Sequence, residues 1–314
     1  MDPRQYYPMR PARSVKSQVW ESLAADIASG SKYVVNGSWD LFESISKKTL
    51  DSLNWSEQHN GNLSVVVREH SRNDEALEEN FAHLFEKNDG MVHLEGLEML
   101  SATSVQRVEA ALIKGVDQEV TDKLDVVRVT YEQLFEVQPE GDKPESNFEA
   151  EVSEAVSKTG FPYKADKLIQ TEKRLIIWPE GSETFTSGEK LQTKVIFRQG
   201  VMSLAEFTAR CMETLHKMGQ LVLVAGAAPD IKPFFNLVQV MFKEIDSLTR
   251  KYATHLKEFP ADAKQAAEAG DLQTMLADLF MEAKSATNFV HEAFRLLCTV
   301  IERSIVSEKD KTAA

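Results

Sequence analysis

The stretch that decides the fold is IKPFFNLVQVMFKEIDSLTRKYATHLKEF, at residues 231–259. Apolar side chains recur along it at alternating spacings of four and three residues, at Phe234, Val238, Met241, Ile245, Leu248 and Tyr252. This spacing places the apolar groups on one face of an α-helix, and a face of this length is typical of a helix that packs along its whole length on other helices. The stretch therefore predicts one member of a helical bundle.

The segments on both sides show the same pattern. Ser203 and Glu206 have the spacing of a capping box, which predicts a helix over residues 204–227. A third apolar face of helical spacing runs over residues 272–305. Because the connections between these segments are short, they predict an antiparallel three-helix bundle at residues 201–308.

Upstream of the bundle the sequence predicts β-structure. Residues 174–178 and 191–197 are short apolar stretches, and the loop between them is rich in proline and glycine. Two such stretches around a turn-forming loop are typical of a β-hairpin with a long tip. We therefore expect a β-hairpin region at residues 148–200.

The N-terminal half shows mixed patterns. A β-branched run at residues 63–68 and the alternation of apolar and polar side chains at residues 91–97 predict strands. Residues 104–113 have helical spacing, and residues 124–137 alternate in part. Residues 15–137 are therefore predicted to form an acidic α+β domain. The predicted fold class is an α+β N-terminal region followed by a mainly α C-terminal region with long antiparallel helices.

Two further segments mark the predicted domain boundaries. Residues 138–147, QPEGDKPESN, combine proline, glycine and charge and are predicted to be a linker. Residues 1–14 are polar and carry Arg4, Arg10 and Arg13, which predicts a flexible basic arm.

The charge is acidic and unevenly distributed. The chain carries 36 basic and 49 acidic side chains, a net charge of −13 with neutral histidines. Residues 1–150 hold 27 of the acidic groups and 15 of the basic groups. An acidic surface disfavours a protein whose main task is to coat nucleic acid, because phosphate neutralisation needs basic groups. We expect the acidic half to serve a basic partner or solubility.

The sequence predicts a cytoplasmic protein in a reducing, intracellular environment. No apolar segment typical of a signal peptide follows Met1, and the longest apolar run, residues 221–228, is too short to cross a membrane. The only cysteines, Cys211 and Cys298, fall at apolar positions of predicted helices. This placement favours buried thiols over a disulfide framework.

No motif indicates a cofactor or a metal. Residues 221–230, LVLVAGAAPD, have the apolar run and glycine of a nucleotide-binding loop, but the Gly-x-Gly-x-x-Gly fingerprint is absent. The seven histidines show no metal-ligand spacing with a carboxylate or thiolate partner. We therefore predict no cofactor and no metal, and a non-enzymatic protein is favoured.

Residues 158–198 mix basic and aromatic side chains on the predicted hairpin. Basic groups that contact phosphates and aromatic rings that stack on bases are features of surfaces that bind single-stranded nucleic acid. An ordinary half-buried hairpin has the same composition. The candidate polyanion-binding residues are Lys173, Arg174, Trp178, Lys190, Lys194 and Arg198.

Long amphipathic helices predict a protein-interaction or assembly factor, because helices of this length often keep apolar surface for a second chain. We expect a scaffold that binds a protein partner or associates with itself to form an oligomer. One alternative is a nucleoprotein-like or RNA-associated protein, of viral or other origin, that uses the basic hairpin. Another is an enzyme whose site is assembled from distant residues.

Overall fold

A computed structural model describes residues 80–134, 147–176, 189–258 and 266–312. Within these ranges the chain forms eight α-helices and no strand. The helices are α1 (Phe81–Lys87), α2 (Gly90–Lys114), α3 (Gln118–Gln133), α4 (Phe148–Lys158), α5 (Asp166–Ile176), α6 (Glu189–Ala225), α7 (Lys232–Glu258) and α8 (Ala266–Thr312). The described part of the protein is a helical bundle.

Polar side chains define where three of these helices begin. The carboxamide oxygen of Asn80 accepts a hydrogen bond from the backbone N–H of His83 at 2.8 Å, and Asn147 caps α4 in the same way. Asp117 accepts from the backbone N–H of Val120 at 3.0 Å. Each cap satisfies an N–H that has no partner within its own helix. At the other end of α2, Gly115 has a φ of 91°, which a residue with a side chain rarely adopts.

The predicted α+β region is wrong for the residues that the structure describes. Residues 91–97 lie in α2, where Met91, Leu94 and Leu97 are buried. Their spacing of three is helical, and the apparent alternation over seven residues fits either period. Residues 124–133 lie in α3, whose buried side chains are spaced by four and three rather than by two. The predicted strand at residues 63–68 and the predicted arm at residues 1–14 lie outside the described residues.

The predicted β-hairpin is also wrong. Residues 174–176 end α5, and residues 191–197 belong to α6, which begins at Glu189 rather than at Leu204. Ile196, Val201 and Leu204 are buried in α6, so the short apolar run is the beginning of a longer helical pattern. All of the predicted linker except Asn147 lies outside the described residues.

The three C-terminal helices cover the segments predicted for the bundle, and other helices of the described part pack on them. Gly200 of α6 contacts Leu279 of α8, and Gly219 contacts Leu297, so α6 and α8 run in the same direction. α7 runs the opposite way between them, with Tyr252 hydrogen-bonded to Ser203 at 2.8 Å. α2 packs against both α6 and α8, and α1, α3, α4 and α5 also pack on this framework.

One hydrophobic cluster includes buried side chains from all eight helices. Rings of Phe81 and Phe85 from α1 stack on Phe289 of α8, with the centroids of Phe85 and Phe289 4.5 Å apart. The ring of Phe148 from α4 packs on Phe207 of α6. Aromatic contacts therefore hold α1 and α4 against the long helices.

Candidate functional site

A cluster of charged side chains lies where α5 meets α6. The ammonium groups of Lys167 and Lys217 donate to Oε1 of Glu213 at 2.8 and 2.6 Å. The guanidinium of Arg210 donates to Oε2 of the same carboxylate at 2.6 Å. We call Lys167, Arg210 and Lys217, grouped around Glu213, the cationic cluster. It carries three positive charges and one negative charge.

The cationic cluster keeps Glu213 ionised although its side chain is only 5% exposed. Burial alone would raise the pKa of Glu213, but hydrogen bonds from Lys167, Lys217 and Arg210 outweigh this effect and lower the pKa to about 2. The cations themselves reach toward solvent, and the side chain of Lys167 is 68% exposed. A permanently charged carboxylate therefore anchors three cations at the protein surface.

Two histidines lie beside this cluster. His93 of α2 and His216 of α6 approach each other with their Nδ1 atoms 3.3 Å apart. Burial lowers the pKa of both rings, the charge of Glu213 opposes this at His93, and the charge of Lys217 lowers the pKa at both. One Nδ1 must donate to the other, so at least one imidazole of the pair is neutral.

Gly96 makes the histidine contact possible. A Cβ atom at this position would lie 2.4 Å from Cε1 of His216, closer than two non-bonded carbon atoms can approach. The absence of a side chain at Gly96 therefore allows the His216 ring to lie close to α2.

A second surface feature is the outer face of α2. Val92, Met99 and Ile113 are 60%, 71% and 87% exposed. They are spaced by multiples of seven residues, so they lie along one line of the helix about 30 Å long. Ala102, Thr103, Gln106 and Ala110 are the exposed uncharged side chains between them. We call these seven residues the α2 stripe.

Charged residues border the α2 stripe on both sides. The seven-residue spacing and the helical repeat place Glu95 and Glu109 along one edge, and Arg107 and Lys114 along the other. The stripe is therefore an uncharged strip between an acidic edge and a basic edge. This is the pattern of a helix face in a coiled coil.

The structure does not bring the predicted polyanion-binding residues together on a hairpin. Lys173 lies in the last turn of α5 and pairs with Glu149 of α4 at 2.6 Å, and Arg174 pairs with Glu206 of α6. Lys194 and Arg198 lie on the exposed side of α6. Trp178 lies outside the described residues. Lys190 lies in α6, but its side chain lies outside the described part.

Sequence reasoning missed most of the cationic cluster. Arg210, Glu213 and Lys217 are spaced by three and four residues, which places them on one face of a helix. This spacing was the available signal. Lys167 and His93 come from other helices, and nothing in the local sequence links them to Glu213.

The described residues contain no group of three or more His, Cys, Asp or Glu side chains placed to hold a metal ion. Among the eight helices, none is long and apolar enough to cross a membrane.

No known family model matches this chain. No solved structure matches it either. The geometry described above is therefore the basis for the functional assignment.

Proposed function

We propose that this protein is a non-enzymatic interaction factor that binds an amphipathic helix of another protein along the α2 stripe. The observation that carries the proposal is the seven-residue spacing of Val92, Met99 and Ile113, each more than half exposed. Single exposed apolar residues are common on protein surfaces, but a regular line of them on one helix is not.

The length and spacing of the stripe support a helical partner. A straight strip of about 30 Å matches about three heptads of an α-helix. A groove for an extended peptide would instead need unpaired backbone groups, which a helix face does not offer. The partner that fits is therefore a helix with an apolar seam.

The charged edges specify the partner further. Basic side chains on one edge of the partner helix would lie opposite Glu95 and Glu109. Acidic side chains on its other edge would lie opposite Arg107 and Lys114. Edge charges of this kind select partner and orientation in coiled coils.

One observation gives less support to the nucleic-acid hypothesis. Lys173 and Arg174, two of the candidate polyanion-binding residues, are paired with acidic residues of neighbouring helices.

Both cysteines are free and buried, which supports a function in a reducing compartment such as the cytoplasm.

The experiment is site-specific photocrosslinking along α2 in cells. A photoreactive amino acid replaces Met99, Gln106 or Ile113 on the stripe, and Val126 on α3 serves as the exposed apolar control. We expect one identified protein to be crosslinked from all three stripe positions and not from position 126. The crosslinked peptide should lie in a segment with heptad apolar spacing.

Three outcomes contradict the proposal. Equal crosslinking from position 126 would show that the contact does not follow the stripe. Crosslinks to a segment without heptad spacing would rule out a helical partner. If the crosslinked protein is a second copy of this chain, the proposal of a different partner is wrong and the surface serves self-association.

A further inference from the structure

The cationic cluster holds more positive charge than its single carboxylate offsets. Lys167 and Lys217 both contact the same oxygen of Glu213, so two ammonium groups are held close together. Like charges at such short range repel each other, and Arg210 adds a third on the adjacent oxygen. The arrangement would gain stability from a second anion.

The cations also have hydrogen-bond donors for that second anion. An ammonium group has three N–H donors and a guanidinium has five, whereas each side chain gives one described hydrogen bond to Glu213. The side chain of Lys167 is 68% exposed and that of Lys217 is 39% exposed, so an anion in solution can reach both. A phosphate group, with several oxygens in a compact tetrahedron, matches such converging donors.

We propose that the cationic cluster is a binding site for a phosphate group, held between Lys167 and Lys217 with Arg210 as a third donor. The site lies around α5 and α6, and the proposal does not depend on the partner helix at the α2 stripe. Glu213 holds the three side chains in a fixed arrangement, and this preorganisation lowers the entropic cost of binding.

The pKa values of the neighbouring histidines should change when an anion binds to the cationic cluster. The charged groups around His93 are Asp89, Arg210, Glu213 and Lys217. His216 lies near His93 and Lys217, and the side-chain nitrogen of Gln220 is 3.2 Å from Nε2 of His216. Lys217 disfavours a proton on either ring. A bound phosphate would screen that charge, so it should raise the pKa of both histidines, and by linkage it should bind more tightly as the pH falls.

The test is an NMR titration of the full chain labelled at histidine Cε1, with sodium pyrophosphate as the probe and sodium chloride at matched ionic strength as the reference. A short phosphoserine peptide is a second arm, which distinguishes a phosphate on a protein from a free phosphate compound. We expect pyrophosphate to shift the His93 and His216 signals and to raise both pKa values, whereas chloride does not.

Three variants check the position of the site by calorimetry. Lys217→Ala should weaken pyrophosphate binding about tenfold, the loss expected for one charge-assisted hydrogen bond. Lys217→Arg should restore most of the binding because the charge remains. Lys243→Ala is the control, since Lys243 is also a solvent-exposed lysine, 61% exposed, and pairs with Glu151 elsewhere.

The proposal is overturned if millimolar pyrophosphate and the phosphopeptide leave the His93 and His216 signals unchanged in the wild-type protein. It is also overturned if chloride gives the same shifts. Because these readings use the unaltered chain, they hold even where a lysine variant fails to fold. Equal weakening by Lys217→Ala and Lys243→Ala would likewise contradict it.

Discussion

Replacing Glu244 with glutamine should abolish much of the pH dependence of stability. Glu244 lies on α7, where its side chain is buried, and among the described residues its Oε1 has no hydrogen-bond partner. Burial, with a smaller contribution from the nearby charge of Glu172, raises the pKa of Glu244 to about 8. At neutral pH the folded protein therefore keeps this carboxyl protonated, whereas the unfolded chain ionises it.

The size of the effect follows from the shift in pKa. The folded-state pKa lies above the ordinary value of 4.5, so the free energy of unfolding is highest below pH 4.5 and falls as the pH rises to about 8. Each unit of pKa corresponds to about 1.4 kcal/mol, so the loss is at most about 5 kcal/mol over this range. Glutamine has the same shape and does not ionise, so the loss should disappear in Glu244→Gln.

The assay is urea unfolding of the wild type and the variant between pH 5 and pH 8.5. We expect similar free energies of unfolding at pH 5 and a variant that is more stable by several kcal/mol at pH 8.5. Glu119→Gln, at an exposed position of α3, is the control and should follow the wild type. Parallel curves for wild type and Glu244→Gln would refute the reasoning, because they would mean that Glu244 ionises equally in both states.

Two further substitutions test the packing and the charges around the site. Gly96→Ala should destabilise the fold by about 1–3 kcal/mol in thermal unfolding, because the new Cβ overlaps the His216 ring; an unchanged midpoint would show that the ring is not held there. Glu213→Gln should cost about 1–2 kcal/mol at pH 7, a figure reduced for the solvent screening of the exposed lysines. Because the folded-state pKa of Glu213 is lowered to about 2, this stabilisation should be lost only as the pH falls from 4.5 toward 2. A difference between wild type and Glu213→Gln that persists at pH 2 would contradict the assignment.

The long helices could be predicted from the sequence because their periodicity is sustained. α7 and α8 each repeat apolar residues over several turns, so a helical period is distinguishable from alternation. Residues 91–97 and 191–197 are too short for that distinction when they are considered alone. Each short run on its own favours a strand, although the burial of Leu94, Leu97 and Ile196 continues the pattern of a longer helix.

The candidate sites are harder to predict from the sequence because they depend on how the helices pack against one another. The contact between Lys167 and Glu213 joins residues far apart in the chain, and the pairing of Lys173 with Glu149 depends on how α4 packs beside α5. The α2 stripe depends on knowing which face of α2 is buried. Helical spacing gives the faces of a helix, but only the packed structure shows that Val92, Met99 and Ile113 remain exposed.

The affinity of the crosslinked partner for a matched pair of variants tests the central claim most directly. Val92→Glu introduces a charge on the α2 stripe, and Val126→Glu introduces the same charge on the exposed face of α3. The assay is a calorimetric titration with the purified partner. The account predicts that Val92→Glu weakens the affinity at least tenfold, which corresponds to about 1.4 kcal/mol of binding free energy. Val126→Glu should leave the affinity within twofold of the wild-type value. Equal affinities for wild type and Val92→Glu would contradict the account.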